Sequence, residues 1–156
     1  MTILEIERRG ATALVRLNRP DKRNAISFAL LRELLAAAKV LRRDRTLRAV
    51  ILCGAGGSFS SGIDLADLNA APRLWAAWQL LKPGRNLFQQ AFLCWQELPV
   101  PVIAALHGHC FGAGLQLAAA ADIRIATPDC QLSIMESRRG LVPDIGLTRG
   151  LRGVLQ

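Results

Sequence analysis

Apolar residues recur along the first third of the chain with two periods, and these periods predict strands and a helix. Residues 3–7 and 12–17 alternate apolar and polar side chains around the turn-prone Arg9-Gly10, which predicts a β-hairpin. After a loop, Ser27 is a suitable N-cap. The apolar residues that follow it share one helical face: Leu30, Leu31, Leu34, Leu35, Ala38 and Leu41. Residues 48–53 then form an apolar run that predicts a buried strand.

The same succession of strand and helix patterns continues to the C-terminal part. Residues 58–68 predict a second strand-to-loop-to-helix passage, with Asp64 and Asp67 near the helix start, where carboxylates are favourable. Helical spacing at residues 74–81 and 87–95, interrupted by Pro83-Gly84, predicts two helices or one broken helix. Short strands are predicted at 100–106, 123–126 and 132–134. This alternation predicts an α/β fold in one domain spanning residues 1–156.

The stretch LHGHCFGAGLQLAAAAD at residues 106–122 is the centre of this arrangement. It predicts a strand end, a tight glycine-containing turn and an Ala/Leu-rich helix. Such a turn leaves backbone N–H groups without internal partners and aims them at whatever lies above the strand. The pattern fits a phosphate, a carboxylate or the transient negative oxygen of a reacting carbonyl, and by itself it leaves all three open.

Composition and charge narrow the possible partners. The net charge of +8 comes largely from arginines, and it indicates either a solvated basic surface or a polyanionic partner. An aromatic content of 5% without tyrosine argues against a base-stacking nucleic-acid surface. No uninterrupted apolar run approaches a membrane span and the start lacks a signal-peptide layout, so we expect a cytoplasmic protein without a membrane partner. The four cysteines lack metal-ligand spacing, which predicts reduced thiols, no metal and no disulfide.

Several common catalytic motifs are absent from the sequence or from its central stretch. The sequence contains no G-x-x-x-x-G-K-[ST], no dinucleotide G-x-G-x-x-G at the central turn and no G-x-S-x-G. His107 and His109 flank Gly108 without an acid nearby in sequence, which favours structural roles. Small-residue loops around Ile63 and Ala113 remain, and two backbone N–H groups from separate loops that converge on one oxygen make an oxyanion hole.

Four segments resemble the crotonase superfamily, which contains the enoyl-CoA hydratases and isomerases: NRPDKRNA at 18–25, SFSSGIDL at 58–65, HGHCFGAGLQLAAAADIRIAT at 107–127 and MESRRGLVPDIGLT at 135–148. The resemblance implies a crotonase-like spiral of repeated ββα units, a homotrimer or hexamer, and an acyl-CoA thioester as substrate. It implies that the backbone N–H groups of Ile63 and Ala113 hold the enolate oxygen. Coenzyme A is then part of the substrate, so no separate cofactor is expected. The residues that would line its binding loops are Lys22, Asn24, Ala25, Ser61, Gly62, Asp64 and Leu65.

The catalytic positions depart from the hydratase pattern. Hydratases of this family use two glutamates, at the positions of Gln116 and Glu136, and only the second is an acid here. An amide can hold a water but cannot take its proton, and losing a general acid or base costs about 10²–10⁴ in rate. Asp144 follows Glu136 by eight residues, which resembles the pairing in dienoyl-CoA isomerases. We therefore expect double-bond isomerisation of an unsaturated fatty acyl-CoA, unless Asp144 caps a helix beginning near Gly146.

Family members continue beyond the position of Gln156 into helices that complete the last turn of the spiral. The expectation is that the C-terminal helical part is absent, so that the chain is either truncated or a minimal enzyme. Two alternatives to the isomerase stay open: an enoyl-CoA hydratase and a catalytically silent crotonase-like assembly partner. Glu136 and the two intact loops favour an enzyme, whereas Gln116 and the missing region favour the silent partner.

Overall fold

The computed structural model describes residues 2–70, 84–136 and Leu147. Strands and helices alternate through these ranges as the sequence predicts. The strands are β1 (Leu4–Arg9), β2 (Thr12–Leu17), β3 (Ala49–Gly54), β4 (Val102–Leu106), β5 (His109–Phe111), β6 (Ile123–Ala126) and β7 (Gln131–Ser133). The α-helices are α1 (Phe28–Leu41), α2 (Leu65–Ala70), α3 (Leu87–Leu93) and α4 (Ala113–Ala119), with 3₁₀ turns at Pro20–Lys22 and Cys94–Glu97.

The larger sheet has five strands in the order β1-β2-β3-β4-β6. β1 and β2 form the predicted antiparallel hairpin, and each later neighbour pairs in parallel. Parallel neighbours require crossover connections, and α1 supplies the one between β2 and β3. The α/β prediction is confirmed.

A second layer is built from segments that follow β2, β3, β4 and β6 of the large sheet. β5 follows β4, β7 follows β6, and these two pair in parallel. Isolated parallel bridges join Ser60 to Cys110 and Ile26 to Ile63, which extends this layer toward the N-terminal part. The chain therefore passes repeatedly from the large sheet into this second layer and back, and this is the predicted spiral of ββα units.

Helix α1 covers one face of the large sheet. Its N-cap is Ser27, as predicted, and the Ser27 hydroxyl accepts a hydrogen bond from the Leu30 N–H at 3.1 Å. The apolar face of α1 lies in a core that also contains Phe59, Phe92 and Trp95, all fully buried. The described helices include none long and apolar enough to cross a bilayer, since the longest, α1, has 14 residues.

Two sequence predictions differ from the structure here. The stretch predicted as one tight turn between strand and helix contains β5. The prediction missed this strand because its partner β7 lies 22 residues further along, and local periodicity does not reveal such a pairing. The strand predicted at 132–134 is Gln131–Ser133. The predicted helix at 74–81 and the segment around Asp144 lie outside the described residues.

Candidate functional site

The segment at residues 58–64 runs between two other loops and is hydrogen-bonded to both. On one side the Ser61 N–H donates to Arg23 O and the Ile26 N–H donates to Gly62 O, at 2.9 and 2.7 Å. On the other side the Ser60 N–H donates to His109 O at 2.9 Å. The three loops that the sequence analysis singled out are therefore adjacent.

The direction of the Ile63 N–H follows from these bonds. Gly62 O accepts from Ile26, and the Asp64 N–H donates to Ile26 O at 2.9 Å, so both neighbours of Ile63 face Ile26. Because backbone groups alternate in direction along an extended segment, the Ile63 N–H points away from Ile26. Within the ranges that the structure describes, this N–H has no hydrogen-bond partner.

The N–H of Ala113 lies beside the same segment at the start of α4. Gly112, with φ +49°, donates its own N–H to Ser133 O at 2.9 Å and leaves Ala113 as the first helical residue. Gly62, with φ +100°, allows the two loops to approach, since a Cβ there would lie 3.1 Å from Phe111 O and 3.7 Å from Ala113 N. No described residue accepts the Ala113 N–H.

A cavity of about 90 Å³ lies where these loops meet. Residues from three separate parts of the chain line it: Ser61, Gly62, Ile63, Leu65, Gly112, Ala113, Met135 and Glu136. The structure thus brings Ile63, Ala113 and Glu136 to one cavity, although they span more than 70 positions of sequence. Two backbone donors and one carboxylate are the groups needed to stabilise an oxyanion and to move a proton next to it.

Glu136 is half-buried, as its predicted position in the pocket requires, and its two oxygens differ. The Gln116 Nε2 donates to Glu136 Oε1 at 2.6 Å. Oε2 is buried without a hydrogen-bond partner among the described residues. A buried carboxylate oxygen without a protein partner is costly, so Oε2 needs a water or a ligand group to bind it. Gln116 itself is 2% exposed.

The predicted coenzyme A loops contain both accessible and inaccessible residues. Lys22 and Leu65 are exposed, and Leu65 lines the cavity. Asn24 is fully buried, and its amide bonds to the Arg19 N–H, Ala55 O and Ser58 O at 2.9, 2.8 and 2.7 Å. Asn24 thus stabilises the loop through buried hydrogen bonds, and its side chain is not available for a direct contact with a ligand.

Asp64 is also engaged within the chain. The Arg19 Nη2 lies 2.9 Å from its carboxylate. Burial alone would raise the pKa of Asp64, but the hydrogen bonds from Arg19 and from the Ala66 and Asp67 N–H groups outweigh it and lower the pKa below its ordinary value. Arg19 was missed by the sequence analysis, and its place in the NRPDKRNA motif was the only available signal.

The two histidines form hydrogen bonds with the loop at residues 56–58. The His107 Nε2 lies 2.9 Å from Gly56 O, and the His109 Nδ1 lies 3.0 Å from the Ser58 hydroxyl. Neither lines the cavity, which agrees with the structural roles favoured for them. The described ranges contain no cluster of three or more His, Cys, Asp or Glu side chains that could hold a metal ion.

Comparison with known proteins gives a family and close structural matches. The family described as Enoyl-CoA hydratase/isomerase matches residues 7–153. Among curated proteins, the mouse mitochondrial Delta(3,5)-Delta(2,4)-dienoyl-CoA isomerase is 39% identical over 151 residues, which cover 90% of this chain and 45% of the mouse protein. The chain spans about half the length of the curated relatives it matches.

Two solved structures superpose on nearly the whole chain. A Thermobifida fusca YX protein in complex with acetoacetyl-CoA gives a TM-score of 0.85 at 33% identity, covering 98% of this chain and 62% of that one. The enoyl-CoA hydratase of Bacillus anthracis gives 0.88 at 28% identity, covering 99% and 58%.

Proposed function

The chain belongs to the enoyl-CoA hydratase/isomerase family, and we propose that it acts on an unsaturated fatty acyl-CoA by moving a double bond. The observation that supports this most directly is the state of Glu136. One of its oxygens accepts a hydrogen bond from Gln116, the other is unpartnered among the described residues, and Glu136 lines the same cavity as Ile63 and Ala113. A fixed carboxylate beside an oxyanion site is suited to exchange a proton with a carbon next to a thioester.

In the proposed reaction the thioester oxygen accepts hydrogen bonds from the Ile63 and Ala113 N–H groups. A carboxylate removes a proton from the carbon next to the thioester carbonyl, and the electron pair moves onto the oxygen as an enolate. A carboxylic acid then returns a proton further along the chain, so the double bond shifts without oxidation or reduction. Glu136 is one of these groups, and Asp144, outside the described residues, is proposed as the other.

Coenzyme A is proposed to lie along the loops at residues 22–25 and 61–65, with the exposed Lys22 ammonium available to a phosphate. The Thermobifida fusca relative bound to acetoacetyl-CoA supports a ligand of this class. No metal and no separate cofactor enter the proposed reaction.

An enoyl-CoA hydratase is the second candidate, and the Bacillus anthracis relative favours it. Hydration needs a group that takes a proton from water. The amide of Gln116 occupies the second position here and donates to Glu136, so it argues against this candidate.

Offering 2-enoyl-CoA and 3,5-dienoyl-CoA to the same preparation separates the candidates by ultraviolet absorbance. We expect isomerisation of the dienoyl substrate to be faster and to fall in Asp144→Asn. Faster hydration of the 2-enoyl substrate would support the hydratase instead. Inactivity of the folded protein toward both would support a silent assembly partner.

The cytoplasmic location and the homotrimeric or hexameric assembly belong to the same proposal. An apolar strand at the sheet edge supports assembly, since Ile123 and Ile125 of β6 are 48% and 61% exposed. Mass measurement of the purified protein and of Ile125→Lys tests it, and we expect the substitution to lower the mass. A monomeric wild-type protein would contradict it, and cell fractionation tests the location.

A further inference from the structure

Arg19 does not line the cavity, but it connects the two segments that set the direction of the Ile63 N–H. Its Nη1 donates to Ala25 O at 2.6 Å, and its Nη2 pairs with Asp64 at 2.9 Å. Ile26 and Ile63 are partners in a parallel bridge. Arg19 therefore contacts the residue that precedes Ile26, which is Ala25, and the residue that follows Ile63, which is Asp64.

Arg19 is itself held firmly. Its N–H donates to the Asn24 Oδ1 at 2.9 Å, and its carbonyl accepts from the Asn24 N–H at 2.8 Å. The Arg19 side chain is 19% exposed, and its partner Asp64 is 15% exposed. Arginine presents several donors in a rigid planar fork, so one guanidinium fixes both acceptors at once, which a lysine ammonium on a flexible stem does less well.

We propose that Arg19 is a positioning residue that, with Asp64, aims the Ile63 N–H at the thioester oxygen. The inference rests on the proposed function, because it presumes a thioester in the cavity. An oxyanion donor stabilises the reaction only within a narrow distance from the oxygen, and removing one such donor costs about 10²–10³ in rate. A clamp that holds the donor is thus expected to affect turnover more than binding.

The test is the carbonyl stretching frequency of an enoyl-CoA bound to the whole chain, measured by difference infrared spectroscopy. The kcat and KM for turnover of an unsaturated acyl-CoA are measured on the same variants. In the wild type we expect a frequency below that of the free thioester. Arg19→Lys keeps the charge but loses the fork, so it should lose at least half of this shift and about tenfold in kcat, with KM within about threefold. Asp64→Asn breaks the pair from the other side and should reduce the shift as well, which provides a second variant if Arg19→Lys does not fold.

Arg8→Lys is the matched control, because Arg8 also pairs with a carboxylate, Asp44 at 3.3 Å, away from the cavity. It should keep the full shift. If Arg19→Lys and Asp64→Asn lower only the melting temperature and leave the carbonyl shift and kcat unchanged, the positioning role is overturned while the proposed function stands. If the wild type shifts no thioester carbonyl, the proposed function fails, and this inference fails with it.

Discussion

Gln116 donates a hydrogen bond from Nε2 to Oε1 of Glu136 across 2.6 Å. This contact decides which carboxylate oxygen is available, because Oε1 is occupied and Oε2 has no partner among the described residues. Gln116 is thus part of the site, although it cannot move a proton. Its effect is to leave one oxygen of Glu136 without a partner among the described residues, in a residue that lines the same cavity as the proposed oxyanion donors.

Gln116→Glu is expected to shift the reaction toward hydration. Two carboxyl groups at hydrogen-bond distance cannot both ionise, so the pair shares a proton and supplies both an acid and a base. We expect the hydration rate of a 2-enoyl-CoA to rise by about 10² relative to isomerisation. Gln116→Leu, which removes the amide without adding an acid, is the control and should lower both rates. An unchanged ratio in Gln116→Glu would contradict this role.

Gly112→Ala is expected to displace the turn that carries the Ala113 N–H and lies against Glu136. Gly112 has φ +49° and ψ −120°, a combination that only glycine adopts readily, and an added Cβ would contact Oε1 at 3.4 Å. Gly10→Ala, at φ +60° with nothing within 4 Å of the added Cβ, is the control for an alanine at positive φ away from the site. We expect Gly10→Ala to destabilise by about 1 kcal/mol with kcat unchanged, and Gly112→Ala to destabilise by more and to lower kcat. Equal activity losses would contradict a local effect on the site.

Asn24→Ala is expected to destabilise the whole loop region. It removes three hydrogen bonds from a fully buried side chain and places alanine at φ +54°. We expect a loss of at least about 3 kcal/mol in the free energy of unfolding, measured by urea titration. Asn18→Ala removes two hydrogen bonds at a more exposed site and should cost less than about 1 kcal/mol. Similar losses of unfolding free energy in both variants would contradict this stabilising role of Asn24.

The Arg19–Asp64 pair predicts a specific dependence of stability on pH. The pKa of Asp64 is lowered in the folded state, so its contribution is present above the ordinary aspartate pKa and disappears as the pH falls through the lowered value. Melting temperatures of the wild type and Asp64→Asn should therefore differ at pH 7 and converge as the pH falls below the ordinary aspartate pKa and through the lowered one. A difference that persists unchanged in acid would show that the charge of Asp64 is not involved.

Local features of the fold were predictable and distant pairings were not. Ser27 and the apolar face of α1 follow from residues within one helix, so the pattern located them correctly. The partner of β5 is β7, and the partner of Arg19 is Asp64, 45 positions away. Neither pairing can be predicted from the spacing of residues within one segment. Ile63, Ala113 and Glu136 were predicted through resemblance, whereas their common cavity is a property of the folded chain.

Glu136→Gln tests most directly whether Glu136 transfers the proton beside an oxyanion site. The substitution keeps the shape of the side chain and removes the base. We expect kcat for an unsaturated acyl-CoA to fall by about 10²–10⁴, while the dissociation constant from a binding titration stays within a few-fold. Retained turnover in Glu136→Gln, with the acyl-CoA still bound, would contradict the account.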